Sequence, residues 1–245
     1  MGQDLSGFYD SAYTRGGERH ALWRELGARG KADHVVSLVS SCGLAADSVA
    51  EIGCGDGALL AELAGRGFGG SLSGFDISEA AVALARDRRV PRVSRLEVFD
   101  GSKLPAADGE YDLGVLSHVL EHVPSPLPLL AEAARACRSL IVEVPLERNA
   151  SGGRASKQAS SSEIGHLQAL DRGAVRRLVS DAGLRVAGEL LDPLPREVHT
   201  FFASTPVDQA RGLAKAAVRR GLFRVSPALA ERAVTLHYAC ACVPA

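Results

Sequence analysis

Two histidines and a glutamate stand close together in the stretch LSHVLEHVP, residues 116–124. His118, Glu121 and His122 are three and four positions apart, so on a helix their side chains would share one face. Side chains of these types can exchange a proton near neutral pH or hold a divalent metal ion. His166, in EIGHLQAL, follows a segment rich in Ser and Gly and is a fourth candidate. We therefore expect catalysis at these four residues.

A glycine-rich turn predicts a second kind of chemistry. The stretch VAEIGCGDGALLAEL (49–63) is typical of a strand, a turn and a helix. Gly53, Gly55 and Gly57 let a ligand approach the backbone, and the helix that follows begins with free N–H groups. Asp76 comes nineteen residues after Gly57, at the end of the next predicted strand. A carboxylate placed there can accept both hydroxyls of a ribose, so we expect a ribosyl cofactor.

The identity of that cofactor depends on the residues around the turn. Gly53, Gly55 and Ala58 satisfy G-x-G-x-x-G/A, which leaves an NAD-dependent oxidoreductase as one alternative. Glu51 disfavours it, because a carboxylate two residues before the first glycine would repel a pyrophosphate. An acid suits a cofactor that carries an ammonium group and a sulfonium. The pattern E-x-G-x-G-x-G resembles the first motif of the class I S-adenosylmethionine (SAM) methyltransferases.

Three later segments extend the resemblance over roughly residues 45–145. GFDIS (74–78) resembles the second motif of the family, whose acid binds ribose. VFDG (98–101) resembles the third, in which Asp100 reaches the adenine amino group, and YDLGVLSHVLEHV (111–123) resembles the fourth, beside the methionine moiety and the acceptor. The resemblance implies these cofactor-binding residues: Glu51, Gly53, Cys54, Gly55, Gly57, Asp76, Ile77, Asp100, Gly101 and Ser117.

The histidine cluster has three interpretations. H-x-x-E-H with a distant His resembles the metal-binding layout of small-RNA 2′-O-methyltransferases, which have Glu in place of the first His. This implies that His118, Glu121, His122 and His166 bind a divalent ion such as Mg²⁺. In a second interpretation His118 or His166 is a base that acts without metal. In a third the cluster only lines the cofactor or braces the structure.

Alternating apolar runs and helical stretches must position these residues, and they predict an α/β fold. Ser78, Ser125 and Asp171 are predicted helix N-caps, and Gly183 a helix stop. The predicted strands are 49–53, 71–77, 95–99, 112–117, 139–144, 184–191 and 235–243; the predicted helices are 58–67, 78–88, 126–138, 171–183, 205–223 and 226–234. The resemblance implies a Rossmann-like three-layer αβα sandwich, whose mostly parallel seven-stranded sheet has an antiparallel last strand.

We expect one domain over residues 1–245, with two additions around the site. A helical cap at about 1–44 carries aromatic and cationic side chains, and a helical insertion at about 193–233 precedes the last strand. The basic side chains of that insertion, Arg219 among them, are expected to form a solvated helix face. The loop 147–166 is rich in Ser, Gly and Ala and is predicted to be a mobile lid.

Composition restricts the partners and the compartment. With 28 basic and 29 acidic residues, the chain has no charge excess that favours nucleic acid. It has no apolar run long enough to span a membrane, and its first residues are too polar for a secretory signal. Cys240 and Cys242 are expected to pack in the core, which with the scattered cysteines favours the cytoplasm. Four remaining histidines are expected to have no comparable neighbours, and the last of them, in the final strand, is expected to lie in the core: His20, His34, His199 and His237.

Together these observations predict a SAM-dependent methyltransferase that acts on a small-molecule acceptor, at a hydroxyl oxygen. A hydroxyl needs a base or a metal because the neutral oxygen is a poor nucleophile, and the histidine cluster offers both. The alternatives are a small-molecule N-methyltransferase and a catalytically inactive SAM-binding partner protein. The sequence gives no indication of the oligomeric state.

Overall fold

Seven strands form a single sheet in the computed structural model, which describes residues 5–152 and 165–245. The strands are β1 Ser48–Ile52, β2 Ser71–Asp76, β3 Val93–Val98, β4 Tyr111–Ser117, β5 Cys137–Leu146, β6 Leu184–Asp192 and β7 Leu236–Pro244. Their order in the sheet is β3-β2-β1-β4-β5-β7-β6. Each corresponds to one of the predicted strands, with ends that differ by at most two residues.

The strand directions agree with the predicted mixed sheet. Strands β1 to β5 are mutually parallel, and β7 runs antiparallel to both of its neighbours, β5 and β6. Parallel strands place their carboxyl ends at one edge of the sheet, where ligands bind in open α/β folds. Glu143 of β5 lies beside Ser117 of β4 on one side and Ala239 of β7 on the other. The ends of β1, β2, β4 and β5 therefore form the candidate site.

Helices cover both faces of the sheet. They are α1 Leu5–Arg15, α2 Gly17–Cys42, α3 Ala58–Gly65, α4 Glu79–Asp87, α5 Pro126–Ala136, α6 Arg172–Asp181, α7 Arg196–Thr200, α8 Pro206–Val225 and α9 Pro227–Ala233. One core cluster joins the sheet to α2 and α3, and the other joins it to α5 and α6. Two apolar cores, one on each face of the sheet, make the three-layer αβα sandwich that the sequence predicts.

The predicted helix boundaries are confirmed with one exception. The Ser78 hydroxyl accepts the N–H of Ala81, and Asp171 accepts that of Ala174, so both side chains cap their helices. Gly183 follows α6 with a positive φ of 76°. Ser125 takes the N-cap position of α5 but makes no capping bond with its side chain. Pro126 at the first helical position needs no donor there, since proline has no N–H.

The two helical additions contact each other. Trp23 of α2 packs against Phe201 and Phe202, with ring centroids 5.3 and 5.1 Å apart. The prediction of a solvated basic face on α8 is wrong at Arg219, which is buried and donates to the carbonyl of Thr235 at 2.7 Å. Burial lowers the pKa of this guanidinium. Arg219 thus ties α8 to the start of β7.

Two other predictions concern the loop and the cysteines. Most of the predicted mobile lid, residues 153–164, lies outside the described residues. Cys240 and Cys242 are buried on the same side of β7, with Sγ atoms 3.6 Å apart, as core packing predicts. In the part of the chain that the structure describes, we find no helix that combines the length and the apolar character needed to cross a membrane.

Candidate active site

The glycine turn after β1 is built for close approach. Gly53, Gly55 and Gly57 have φ values of 79°, 54° and 74°, in the left-handed region that favours glycine. A Cβ atom on Gly53 would lie 2.5 Å from the side chain of Val119, and one on Gly55 would lie 2.3 Å from the Tyr13 hydroxyl. Neither position has room for a larger residue, because Val119 and Tyr13 pack directly against the turn.

Asp56, in the glycine turn, belongs to an ion-pair network that was not predicted from the sequence. Asp56 is buried, and its Oδ2 accepts from Arg24 Nε and from Arg88 Nη2, each at 2.8 Å. Arg88 Nε also donates to the Asp56 carbonyl at 2.6 Å, and its Nη1 donates to Glu25 at 2.8 Å. The sequence offered little signal for this network, because an aspartate between two glycines is also typical of an exposed turn.

Asp76 links the ends of β1 and β2. Its Oδ2 accepts the N–H of Gly55 at 2.8 Å and its Oδ1 accepts that of Ser78 at 2.9 Å. The residue is 7% exposed, and burial raises the pKa of its carboxyl above the ordinary value. Each carboxylate oxygen retains a lone pair for a hydroxyl donor. Asp76 therefore stands where the resemblance requires the ribose-binding acid.

Glu51 provides a test of whether a cationic cofactor suits this site. It is 4% exposed, and among the described residues its Oε2 has no hydrogen-bond partner. Burial, followed by repulsion from Asp76 and Asp56, raises the pKa of this carboxyl well above its usual value. Asp56 is paired with Arg24 and Arg88, so Glu51 and Asp76 are the acids that favour a positively charged ligand in this buried region. The ammonium and sulfonium of SAM have that charge, so the residues present fit this cofactor.

The predicted adenine-binding segment has a turn at its centre. Asp100 is exposed, and its Oδ1 accepts from the N–H and hydroxyl of Ser102 and from the N–H of Lys103, each at 2.8 Å. These bonds lower the pKa of Asp100 to about 2. Gly101 has φ 78°, and a Cβ there would lie 3.2 Å from Ile77. Ile77 and Gly101 are thus brought together, whereas one oxygen of Asp100 is engaged in its own turn.

Helix α1 lies across the cofactor edge. The Ser6 hydroxyl donates to the carbonyl of Ile77 at 2.9 Å. Asp10 Oδ1 accepts from the Ser78 hydroxyl at 2.6 Å and from the N–H of Ala80 at 3.1 Å. With Tyr13 over the glycine turn, α1 forms a cover fixed at the ends of β1 and β2. The aromatic side chains of this segment were predicted from the sequence to cover the site, whereas the anchoring role of Asp10 was not predicted.

The stretch 116–124 is not an α-helix, so the prediction of a shared helix face is wrong. Strand β4 continues to Ser117, His118 has a positive φ of 59°, and a short 3₁₀ turn spans Leu120–His122. The run of β4 into this turn, rather than helical periodicity, determines where the side chains point. Ser117 is buried and its hydroxyl donates to Glu143 Oε2 at 3.2 Å.

Three of the four predicted catalytic residues form one compact group. Ligand atoms of Glu121, His122 and His166 all lie within 4.8 Å of one another. His122 Nδ1 is 3.0 Å from the carbonyl of Gly165, and His166 Nδ1 is 2.7 Å from Glu147 Oε2. In both imidazoles Nδ1 is therefore engaged and Nε2 is left for a ligand, the arrangement that outer partners give to metal-binding histidines.

The charge state of this group also suits a cation. Glu121 is fully buried, and neither of its oxygens has a hydrogen-bond partner among the described residues. Burial by itself raises the pKa of Glu121, but His118, with Nδ1 3.1 Å from Oε1, outweighs it and lowers that pKa. Burial lowers the pKa of His122, which favours the neutral imidazole. A carboxylate and two imidazoles are the donor set of many divalent-metal sites.

His118 belongs to a second group that the sequence analysis missed. Its Nε2 lies 3.2 Å from His237 Nδ1 and 3.5 Å from Glu143 Oε1, and His237 Nδ1 lies 3.2 Å from the same Glu143 oxygen. Glu143 is 1% exposed. The expectation that His237 has no comparable neighbours is therefore wrong. A glutamate inside the apolar strand SLIVEV was the signal, because a buried carboxylate needs partners.

His34 of α2 extends this second group and also corrects the expectation that it is isolated. Its Nδ1 lies 3.3 Å from Glu143 Oε1, and its Nε2 lies 3.4 Å from Asp192 Oδ2. Burial lowers the pKa of His34, but Asp192 and Glu143 outweigh burial and raise it to about 10. His199 has a neighbour as well, since its Nε2 lies 3.4 Å from Arg219 Nη1.

Comparison with known proteins identifies the family. A family model for a methyltransferase domain matches residues 19–189, more than half of the chain. The ubiquinone biosynthesis O-methyltransferase of Pseudomonas paraeruginosa is 33% identical over 102 residues, which cover 40% of this chain and 41% of that protein. The chain thus matches about two fifths of the length of this curated relative.

Solved structures show the same fold at low identity. Geranyl diphosphate C-methyltransferase from Streptomyces coelicolor, in complex with Mg²⁺, geranyl diphosphate and S-adenosyl-L-homocysteine, has a TM-score of 0.63 and 15% identity over 88% of this chain and 77% of that one. The cyclase SpnF has a TM-score of 0.59 and 20% identity over 88% and 80%. Because this fold also supports a cyclase, the family assignment depends on the domain match together with the site geometry. This chain belongs to the class I SAM-dependent methyltransferase family.

Proposed function

We propose that the protein transfers the methyl group of SAM to a hydroxyl oxygen of a small-molecule acceptor. The observation that carries this proposal is the buried group Glu121, His122 and His166 next to the glycine turn. Val119, one residue after His118, packs directly against Gly53, so this group adjoins the cofactor edge. A transfer to oxygen also agrees with the O-methyltransferase named among the curated relatives.

The chain binds the cofactor through its acids and its glycine turn. SAM supplies an electrophilic methyl group on a positively charged sulfur. Asp76 accepts the ribose hydroxyls, and Glu51 faces the ammonium group. Tyr9 and Tyr13 of α1 exclude water, which favours transfer because water stabilises the charged start more than the dispersed transition state. Burial raises the pKa of both phenols, so both stay neutral.

We propose that Glu121, His122 and His166 hold a divalent metal ion. Such an ion lowers the pKa of an acceptor hydroxyl and orients it. Glu147 and the carbonyl of Gly165 fix the two imidazoles, so that both Nε2 atoms can bind. The alternative is that His118 takes the proton of the acceptor without metal. Glu121 and Glu143 lie on either side of its ring, and each stabilises the protonated imidazole that such a step forms.

The acceptor is proposed to be small because Tyr9 of α1 covers His122. Tyr9 packs edge-on against His122, with centroids 5.7 Å apart, and its buried hydroxyl has no hydrogen-bond partner among the described residues. A polar group of an acceptor can therefore bond to this hydroxyl next to the metal-binding group. A macromolecular polyanion is disfavoured by the balanced charge of the chain.

Two measurements test the proposal. Calorimetry with SAM, S-adenosylhomocysteine and NAD should give tight binding for the first two and none for NAD. Release of S-adenosylhomocysteine should then be followed with small phenols and alcohols, and with amines of the same shape.

The outcomes distinguish the alternatives. Turnover of hydroxyl acceptors that is abolished by EDTA and restored by a divalent ion supports the proposed metal site. Activity unaffected by EDTA supports His118 as the base, and turnover of the amines alone would make the protein an N-methyltransferase. SAM binding without turnover of any acceptor would identify a catalytically inactive binding protein.

A further inference from the structure

We propose that His118, His237 and Glu143 form a separate binding site for a first-row divalent metal ion such as Zn²⁺. This site differs from the group of Glu121, His122 and His166, and its argument does not depend on the proposed methyl transfer. It lies between the ends of β4 and β5 and the start of β7. We call it the β7 site.

The spacing of the three donor atoms carries the proposal. His118 Nε2, His237 Nδ1 and Glu143 Oε1 form a triangle with sides of 3.2, 3.2 and 3.5 Å. Zinc binds histidine nitrogen and carboxylate oxygen at about 2.0–2.2 Å in tetrahedral geometry, which separates neighbouring ligand atoms by about 3.3–3.5 Å. The two sides of 3.2 Å also lie at the long end of the hydrogen-bonding range, which extends to about 3.2 Å. The triangle is thus close in size to one face of a zinc tetrahedron, and an ion could take the place of these bonds.

The elements that carry these donors are rigid and adjacent. Glu143 is paired with Ser117 of β4 and with Ala239 of β7, and His237 is paired with Pro145 of β5. Strands β5 and β7 thus fix Glu143 and His237, and His118, one residue after β4, is tied to β5 by its backbone N–H, which donates to the Glu143 carbonyl at 2.8 Å. A site on strands is held more precisely than one on loops, so less conformational entropy is lost when an ion binds.

His34 gives an independent indication of a ligand at this place. It is 8% exposed, and its Nδ1 has no hydrogen-bond partner among the described residues, although Glu143 Oε1 is 3.3 Å away. Its Nε2 faces Asp192 Oδ2 at 3.4 Å. A carboxylate behind one imidazole nitrogen is the usual way to orient the other towards a metal. His34 Nδ1 thus points at the same carboxylate oxygen as the two other imidazoles.

The donor types select the ion. Imidazole nitrogens favour zinc and its first-row neighbours, whereas Mg²⁺ prefers oxygen ligands. Because the opposite edge of the His118 ring faces Glu121, the β7 site and the group of Glu121, His122 and His166 lie on two sides of one imidazole.

Counting bound ions tests the β7 site. Metal-free protein is dialysed against Zn²⁺, and bound zinc is measured by elemental analysis. The substitution His237→Gln should remove one ion per chain. His199→Gln is the matched control, because it removes a half-buried histidine that lies in neither group, and it should retain the zinc content of the parent. A His237→Gln variant that binds as much zinc as the parent would overturn the proposal, as would a parent chain that binds none.

A second variant separates the β7 site from the proposed catalytic metal. His166→Gln should remove the ion of the other group and leave the β7 ion in place. With Co²⁺ as the probe, the parent and His166→Gln should show the intense visible absorption of tetrahedral cobalt, and His237→Gln should lose it. If the parent binds one ion, and binding is lost in His237→Gln but kept in His166→Gln, the β7 site is supported and the proposed catalytic metal is refuted. If His166→Gln alone loses zinc, the β7 site is refuted.

Discussion

Asp76 accepts the backbone N–H of Gly55 at 2.8 Å, and this bond joins the end of β2 to the glycine turn that follows β1. Two strands that are proposed to bind different parts of one cofactor are thereby held in a fixed relation to each other. The same carboxylate also accepts the N–H of Ser78, which begins α4. Asp76 therefore organises the site and is a proposed ligand of the ribose.

The substitution Asp76→Ala should weaken SAM binding by about tenfold or more. Each lost charge-assisted hydrogen bond costs about 1.5–3 kcal/mol, and about 1.4 kcal/mol corresponds to tenfold in affinity. Titration calorimetry with SAM measures the effect. Asp112→Ala is the control, because Asp112 accepts the N–H and hydroxyl of Ser48 at the opposite end of the sheet. It should lower stability but not affinity. Unchanged SAM affinity in Asp76→Ala would refute the ribose role.

The substitution Glu121→Gln should abolish binding of the proposed catalytic metal, and in EDTA it should also lower stability. It removes the ion pair between Glu121 Oε1 and His118 Nδ1, which are 3.1 Å apart, and buries a neutral amide in place of the carboxylate. Glu147→Gln should reduce metal affinity by about 10–100-fold, since it replaces the charged carboxylate that orients His166 with a neutral amide. Competition with a chelating dye gives both affinities. Equal affinities in Glu121→Gln and the parent would contradict this assignment.

The free energy of unfolding should decrease on mild acidification, and protonation of His199 should account for part of that decrease. Burial, with the charge of Arg219, lowers the pKa of His199 to about 4, below its ordinary value of about 6.5. The folded state thus holds the neutral ring, so this contribution is complete above about pH 6.5 and is lost as the pH falls towards 4. The drop in Tm from pH 7.5 to pH 5 should be smaller in His199→Gln than in the parent. His20→Gln, which removes an exposed histidine, should keep the drop of the parent.

The substitution Asp10→Ala should accelerate exchange of SAM. It removes the two bonds that tie α1 to Ser78 and Ala80, each worth about 1 kcal/mol, so opening of α1 becomes about 5–30 times more favourable. Stopped-flow measurements should show faster association and faster dissociation. Thr14→Ala is the control, because the Thr14 hydroxyl bonds only within α1, to the Asp10 carbonyl. If both variants exchange SAM at the rate of the parent, α1 is not a cover.

The sheet and its helices were predictable because their signals are local. Apolar runs of strand length alternate with helical stretches, and Ser78 and Asp171 mark helix starts by their own side chains. The glycine turn and Asp76 were predictable for the same reason, since their spacing along the chain corresponds to one strand–helix–strand unit. Their positions can be predicted without knowing any contact between distant parts of the chain.

The histidine groups could be predicted only in part. His118, Glu121 and His122 are neighbours in sequence, but a left-handed residue and a 3₁₀ turn replaced the expected helix, and these change where each ring points. Glu143 and His237 lie 94 positions apart and meet only because β7 enters the sheet beside β5. Such a contact follows from topology. The sequence signal was the buried glutamate, and it does not name its partner.

The position of β7 also has a consequence for synthesis. Strand β7 is made after β6 but lies between β5 and β6 in the sheet. While the ribosome is still adding β7, the edge of β5 is unpaired and β6 has no neighbour to join. Nascent chains at this stage expose an apolar strand edge, which is the kind of surface that aggregates or recruits chaperones. Insertion of the last strand therefore completes the sheet and, in the same step, brings His237 to Glu143.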